Sequence, residues 1–141
     1  MPSYMLDSNV LSLFIHEKDR ALREKVEANL TNCFISALVL AELEYGAAKR
    51  PDVPRYAVRV ELARQMFEEA IMPFDEDAAW HTGRVRASLE KAGMMIGPYD
   101  TMLAGHALSQ GAVMVTDNVD EFRRVPGLVV ENWRTPRKQQ K

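Results

Sequence analysis

One cysteine in 141 residues, Cys33, cannot close an internal disulfide, and its place beside Phe34 and Ile35 predicts a buried strand residue in a reducing compartment. No apolar run approaches the ~20 residues that a membrane-spanning helix requires. The first residues lack the basic start and apolar stretch of a secretion signal, so the expected location is the cytoplasm. Repeats are absent, and so is any proline-, glycine- or serine-rich linker. One domain is therefore expected over residues 1–133, large enough to bury a core, followed by a basic tail over 134–141. That tail carries four cations and no acid, which suits either a solvated terminus or contact with phosphates. A net charge of −2 excludes a general nucleic-acid coat, which is normally clearly basic. With 47% hydrophobic and 27% charged residues, the composition is that of a globular protein.

What is present is an alternation of short apolar runs and helical periods. Residues 3–6 predict a strand, and Asp7 suits the N-cap of a helix running to Ile15. A helix follows over about 19–30, then a strand at Cys33–Ile35, with Ser36 capping a helix to about Lys49. Tyr56, Val60, Ala63, Phe67 and Ala70 recur at helical spacing, and 71–74 reads as a brief strand or extended link. Asp75 caps a further helix with Ala78, Val85, Leu89 and Ala92 inward and Gly93 as its stop. A buried helix over 99–110, a strand at 112–116, a short helical turn near 119–123 and a last strand at 128–130 complete the order. Strand alternating with helix implies a parallel sheet covered on both faces, a three-layer α/β/α domain.

In such a sheet the carboxyl ends of the strands share one edge, where ligands bind. Asp7, Glu42, Asp100 and the Asp117-Asn118 pair all fall at or near that edge. Carboxylates brought together raise one another's pKa unless a cation sits between them, so the pattern suggests a divalent-metal site. Glu42 has Leu38, Val39, Tyr45 and Gly46 as its helical neighbours, which predicts a carboxylate turned inward that needs an arginine, hydrogen bonds or a metal to balance it. Asp7 and Asp100 taken singly are explained as N-caps, each contributing about 1 kcal/mol. Ser8, Asn9 and Thr116 add short polar groups suited to holding water or phosphate. Arg84 and Arg86 precede Asp100 on a helix; Arg86 can pair with Glu90, and either arginine can support the site or meet RNA. His106, Trp80 and Trp133 read as packing residues.

Four stretches in order carry a family resemblance. They are Met5-Leu6-Asp7-Ser8-Asn9; Ile35-Ser36 with Ala41-Glu42-Leu43-Glu44-Tyr45-Gly46; Gly83-Arg84-Val85-Arg86-Ala87 through Ile96-Gly97-Pro98-Tyr99-Asp100 to Ala104-Gly105-His106-Ala107; and Val115-Thr116-Asp117-Asn118 with Glu121-Phe122, Val125-Pro126-Gly127-Leu128 and Glu131-Asn132-Trp133. Together they resemble PIN-domain proteins across essentially the whole chain, and among these the VapC-type toxins of toxin–antitoxin pairs. The resemblance implies a PIN-like α/β/α fold and an endoribonuclease dependent on Mg²⁺ or Mn²⁺ that cuts RNA, tRNA or rRNA. It also implies a VapB-type antitoxin as partner and a homodimer. Asp7, Glu42 and Asp100 fall on the family's acidic site. Ser8 stands where the family commonly has threonine. The fourth acidic position falls on Asn118, which leaves Asp117, Asn118 and Asp120 as alternatives for the residue facing the metal.

Hard-cation chemistry then sets the expected roles. Asp7 and Asp100 would be direct ligands, and Glu42 would hold a second ion or a water, or act as base. Ser8, Asn9, Thr116, Asp117 and Asn118 would position phosphate or water. Two rivals remain. Asp7-Ser8-Asn9-Val10 after a strand is similar to the nucleophile loop of haloacid-dehalogenase-type phosphatases, although Asn9 stands where those need a second aspartate. The other rival is a PIN-like module that binds RNA or its antitoxin without cutting.

Overall fold

Five short strands, all parallel, form the sheet in the order β3-β2-β1-β4-β5. They are β1 (Tyr4–Leu6), β2 (Cys33–Ser36), β3 (Ile71–Met72), β4 (Val113–Val115) and β5 (Val130–Glu131). The computed structural model describes residues 2–136, so residues 137–141 of the expected basic tail lie outside the described residues. The helices are α1 (Ser8–Ile15), α2 (Arg20–Ala28), α3 (Ala37–Lys49), α4 (Pro54–Met66), α5 (Glu76–Ala92), α6 (Pro98–Ser109) and α7 (Val119–Phe122). The expected three-layer α/β/α arrangement with a central parallel sheet is what the chain adopts. Continuous apolar strands are the mark of a sheet buried on both faces, and every residue of β2 is buried. Cys33 is among them, and burial pushes its thiol up to about 11.

The chain steps outward from β1 through β2 to β3, then returns to the other side of β1 to lay down β4 and β5. That reversal places a crevice between the carboxyl ends of β1 and β4. Leu6 pairs with Val115 there, and the Asp7 amide donates to the Val115 carbonyl at 3.1 Å. Asp7 and Thr116, the residues immediately after these strands, therefore face each other across the crevice.

α5 and α6 cross closely because of Gly105. A Cβ there would stand 2.1 Å from Thr82 Oγ1 and 2.6 Å from Thr82 Cα. Gly93 ends α5 in the left-handed region with φ 67°, as its place after the last helical turn predicts.

Four boundaries or faces differ from the sequence expectation. α4 ends at Met66, because the Ala70 carbonyl accepts from Ile35 N at 3.0 Å and pairing with β2 takes the residues that the helical period had claimed. The last strand is shifted to Val130–Glu131, fixed by Met114 N donating to Val129 O and Thr116 N to Glu131 O. Trp80 is 53% exposed, since it lies about 200° around α5 from buried Ala78; Ala92 is exposed too. Asp100 is not a cap: Gly97 takes that position, Pro98 opens the helix, and Asp100 sits in the first turn. Trp133, by contrast, is buried as expected, edge-on to Tyr4 at 4.9 Å, with its Nε1–H donating to Glu131 at 2.8 Å.

Candidate acidic site at the sheet edge

Asp7 caps α1 and is also a candidate site residue. Its Oδ1 accepts from the Val10 amide at 2.8 Å, and its Oδ2 accepts a short hydrogen bond from the Thr116 hydroxyl. The residue is only 7% exposed. Burial raises its carboxyl above the ordinary range; the bonds from Thr116 and Val10 pull the other way, and the charge of Asp117 adds to the rise. Thr116 is fully buried, and its oxygen also accepts from the Asn118 amide at 3.0 Å. Its single proton is committed to Asp7, so Thr116 acts on the site through that carboxylate.

Asp100 reaches the same place from the first turn of α6. Its carboxyl is pushed up to about 6, first by burial, then by Glu121 as a proton-sharing neighbour and as a charge, then by Asp7 and Glu42. Glu121, on α7, is the acid that sequence reasoning missed. Asn118 lies between the two acids, with Nδ2 donating to Glu121 Oε2 at 3.2 Å and to Asp100 Oδ2 at 3.4 Å. The fourth carboxylate is thus one helical turn beyond Asn118, on the same face, a spacing legible once a helix is assumed at 119–122. Asp120 is exposed. Tyr99 was also missed: its hydroxyl is buried beside Ser8, and burial together with Glu42, Asp7 and Asp100 pushes its ionisation far up.

Glu42 requires a correction. It is exposed, not turned into the interior. Val39 and Leu43 form the buried stripe of α3, and Glu42 stands on its flank beside half-buried Leu38 and Tyr45, the latter 62% exposed. It still contributes charge to Asp100 and shares a pocket of about 320 Å³ with Ser8, Asn9, Ser12, Leu43 and Arg59. No cation forms an ion pair with Asp7, Glu42, Asp100 or Glu121 among the described residues.

Other expected residues stand at the margin of this group or away from it. Asp117 accepts from Arg134 NH1 at 2.7 Å and from Asn9 Nδ2 at 3.3 Å, so its charge is already answered. Arg134, expected in a basic tail, is packed against the domain, with its side chain 22% exposed. Arg84 lies over the Trp80 ring at 3.8 Å and donates to the Trp80 carbonyl at 3.4 Å. Arg86 pairs weakly with Glu90 at 3.8 Å, on an exposed face. His106 is a core residue as expected, its Nδ1 at 2.8 Å from Ser36 Oγ and its ring edge-on to Phe74 and Phe34, although Nε2 is buried and unpartnered among the described residues.

The oxygen-rich donor set of Asp7, Asp100, Glu121 and Glu42 suits a hard divalent cation. As the side chains stand, no group of three acidic, histidine or cysteine residues is arranged to hold a metal among the described residues. The mutual repulsion that raises Asp100 is nevertheless what a cation relieves, and such ions keep several waters, so two carboxylates are enough to hold one.

A family model for the PIN domain matches residues 4–128. The chain belongs to the PIN-domain family. Members of this family are in general divalent-metal-dependent ribonucleases, and the phosphatase alternative falls away. The chain is 41% identical over 133 residues, 94% of its length and 99% of the relative, to "tRNA(fMet)-specific endonuclease VapC" of Salmonella typhimurium. It is 33% identical to "Ribonuclease VapC2" of Rickettsia felis, covering 92% of this chain and 97% of that one. Among solved structures, the DNA-bound VapBC of Salmonella typhimurium superposes with a TM-score of 0.85 at 41% identity, over 94% of this chain and 99% of that one. VapBC2 of Rickettsia felis, bound to a promoter fragment, gives 0.83 at 32% identity, over 92% of this chain and 98% of that one.

Proposed function

We propose that this PIN domain is the toxin of a toxin–antitoxin pair, an endoribonuclease that hydrolyses a phosphodiester bond of RNA. The observation that carries this reading is the set of acids at the carboxyl ends of β1 and β4, Asp7 bonded to Thr116 and Asn118 bridging Asp100 and Glu121, with no ion pair to any of the three acids among the described residues. Asp7 and Asp100 would hold the divalent ion, Mg²⁺ or Mn²⁺, with Glu121 and Glu42 at its margin. When bound, the ion would lower the pKa of a water and stabilise charge on the phosphate. Thr116 and the Val10 amide orient Asp7, and Asn118 holds Asp100 and Glu121 in register. Glu42, open to solvent, would hold a second ion or a water, or act as base. Ser8 and Asn9, at the start of α1, line the mouth of the pocket and would position phosphate or water. Asp117, bonded to Asn9, would orient that amide.

By analogy with the relative named as a tRNA(fMet)-specific endonuclease, the substrate would be tRNA, with rRNA as the alternative. A VapB-type antitoxin and a second copy of the chain are the expected partners, in the cytoplasm. No helix among the described residues is long and apolar enough to cross a membrane. Arg84 and Arg86 would meet RNA only from the outer face of α5. The test is to sequence RNA ends after expressing the chain with and without Asp7→Ala. Discrete new ends that vanish with the variant support the reading, and identical ends in both overturn it. RNA binding without cleavage in Mg²⁺ and in Mn²⁺ selects the non-cutting module instead.

A further inference from the structure

The pocket beside Glu42 has one cationic side chain, Arg59 of α4, and the acidic site does not account for it. Arg59 makes no ion pair with Glu42 or any other acid among the described residues. Its NH1 donates to Ser12 Oγ at 3.3 Å, and its guanidinium lies 5.2 Å from the centre of the Tyr56 ring. Gly46 leaves it room, since a Cβ there would stand 3.0 Å from NH2. The Nε–H is buried without a hydrogen-bond partner among the described residues. An arginine fixed by a ring and a hydroxyl, and not by a carboxylate, keeps its charge and planar donors for something else. The flank is electropositive beyond this residue: burial, then the charges of Arg59, Lys18 and Arg55, hold His16 below its ordinary value.

A polyanion approaching a cluster of carboxylates is repelled unless cations stand at the rim. Phosphates flank the scissile one on both sides, so an acidic site needs such a cation within one nucleotide. We propose that the pocket of about 320 Å³ is a phosphate subsite, in which Arg59 with Ser12 and Ser8 takes the backbone phosphate of a nucleotide next to the one being cut. The inference rests on the nuclease reading above. Ser8, Asn9, Ser12 and Arg59 offer donors to a phosphate, with Glu42 as the one carboxylate of the lining and Leu43 as its one apolar residue, so the pocket offers little to the apolar face of an antitoxin helix.

The test measures binding of a tRNA(fMet) transcript to the Asp100→Asn protein, which leaves the RNA uncut, across a range of salt. Arg59→Gln in that background is expected to weaken binding about tenfold at low salt. It should also reduce the slope of log affinity against log salt by about 0.7–0.9, the signature of one lost phosphate contact. Arg59→Lys should restore the slope. Arg59→Met, which keeps an apolar stem over Tyr56, serves as second variant if Arg59→Gln melts early. An unchanged slope in a folded Gln or Met variant overturns the subsite, whether affinity falls or not. So does an effect confined to co-purification of the antitoxin, which would give the pocket to a protein partner. Failure of the Arg59-intact protein to bind either this transcript or a pool of total tRNA and rRNA sinks the nuclease reading itself, and the subsite with it.

Discussion

Two acid-bearing regions lie on the same edge of the sheet and are treated in opposite ways. At the outer edge, Asp117 is bonded to Arg134. Asp19 nearby accepts from the Thr135 amide at 2.8 Å, the Thr135 hydroxyl at 2.6 Å and the Leu22 amide at 3.1 Å. Burial alone would raise Asp19, but these bonds and the Arg134 charge outweigh it and hold it below the ordinary carboxylate range. In the crevice, Asp7, Asp100 and Glu121 have hydrogen bonds but no ion pair among the described residues, and the first two are raised. Acids answered by the chain's own groups serve the fold. Those left unanswered are a standing cost that an external cation can relieve.

The largest effect that sharpens this contrast is on catalysis. Asp100→Asn should reduce RNA cleavage at least about a hundredfold with metal present, read from single-turnover rates; a parental rate would place Asp100 outside the reaction. Thr116→Val keeps the shape but removes the proton given to Asp7. A loss of about tenfold in cleavage is expected, with Asp7 rising further, visible as an alkaline shift of the acid limb of the rate profile.

Stability effects are smaller. Asp100 binds its proton more tightly folded, at about 6, than unfolded near 3.8. Its ionised form therefore penalises the metal-free fold above pH 6, and the penalty fades as pH falls from 6 towards 4. Melting in chelator should show stability decreasing by about 1 kcal/mol as pH rises through that window, and Asp100→Asn should flatten the curve. Arg134→Ala should cost about 1 kcal/mol by leaving Asp117 uncompensated while changing cleavage less than about threefold. A large fall in cleavage at unchanged stability would break the division between the two regions. Arg86→Ala should change stability by only a few tenths of a kcal/mol, because the pair with Glu90 is exposed; weakened RNA binding would instead give the α5 face a role in substrate contact.

Much of this organisation is readable along the chain. Alternating strand and helix periods give the layer order, and the Asp7 and Gly93 signals mark helix ends, because these depend on local backbone geometry. Asp7 is legible as a candidate because strand ends in a parallel sheet must converge, and Asp100 because the stretch around it carries the family resemblance. Glu42 shows where the method stops: a helical neighbour list says which residues are near, not whether the stripe they form is the one buried. Glu121 and Arg59 were invisible for a related reason, as each acquires its meaning from residues far along the chain. Asp117, expected to position phosphate or water, is paired with Arg134 as well as bonded to Asn9, a countercharge that no spacing announced.

Sequence alone determined the type of most elements, though it left 71–74 between strand and link, together with the parallel sheet and the edge at which acids gather, because hydrophobic period and capping are local properties of the polymer. Tertiary structure alone decided which carboxylates stay without a countercharge. That choice depends on distances between residues a hundred or so positions apart, such as the buried bond between Thr116 and Asp7, and no spacing along the chain encodes such distances.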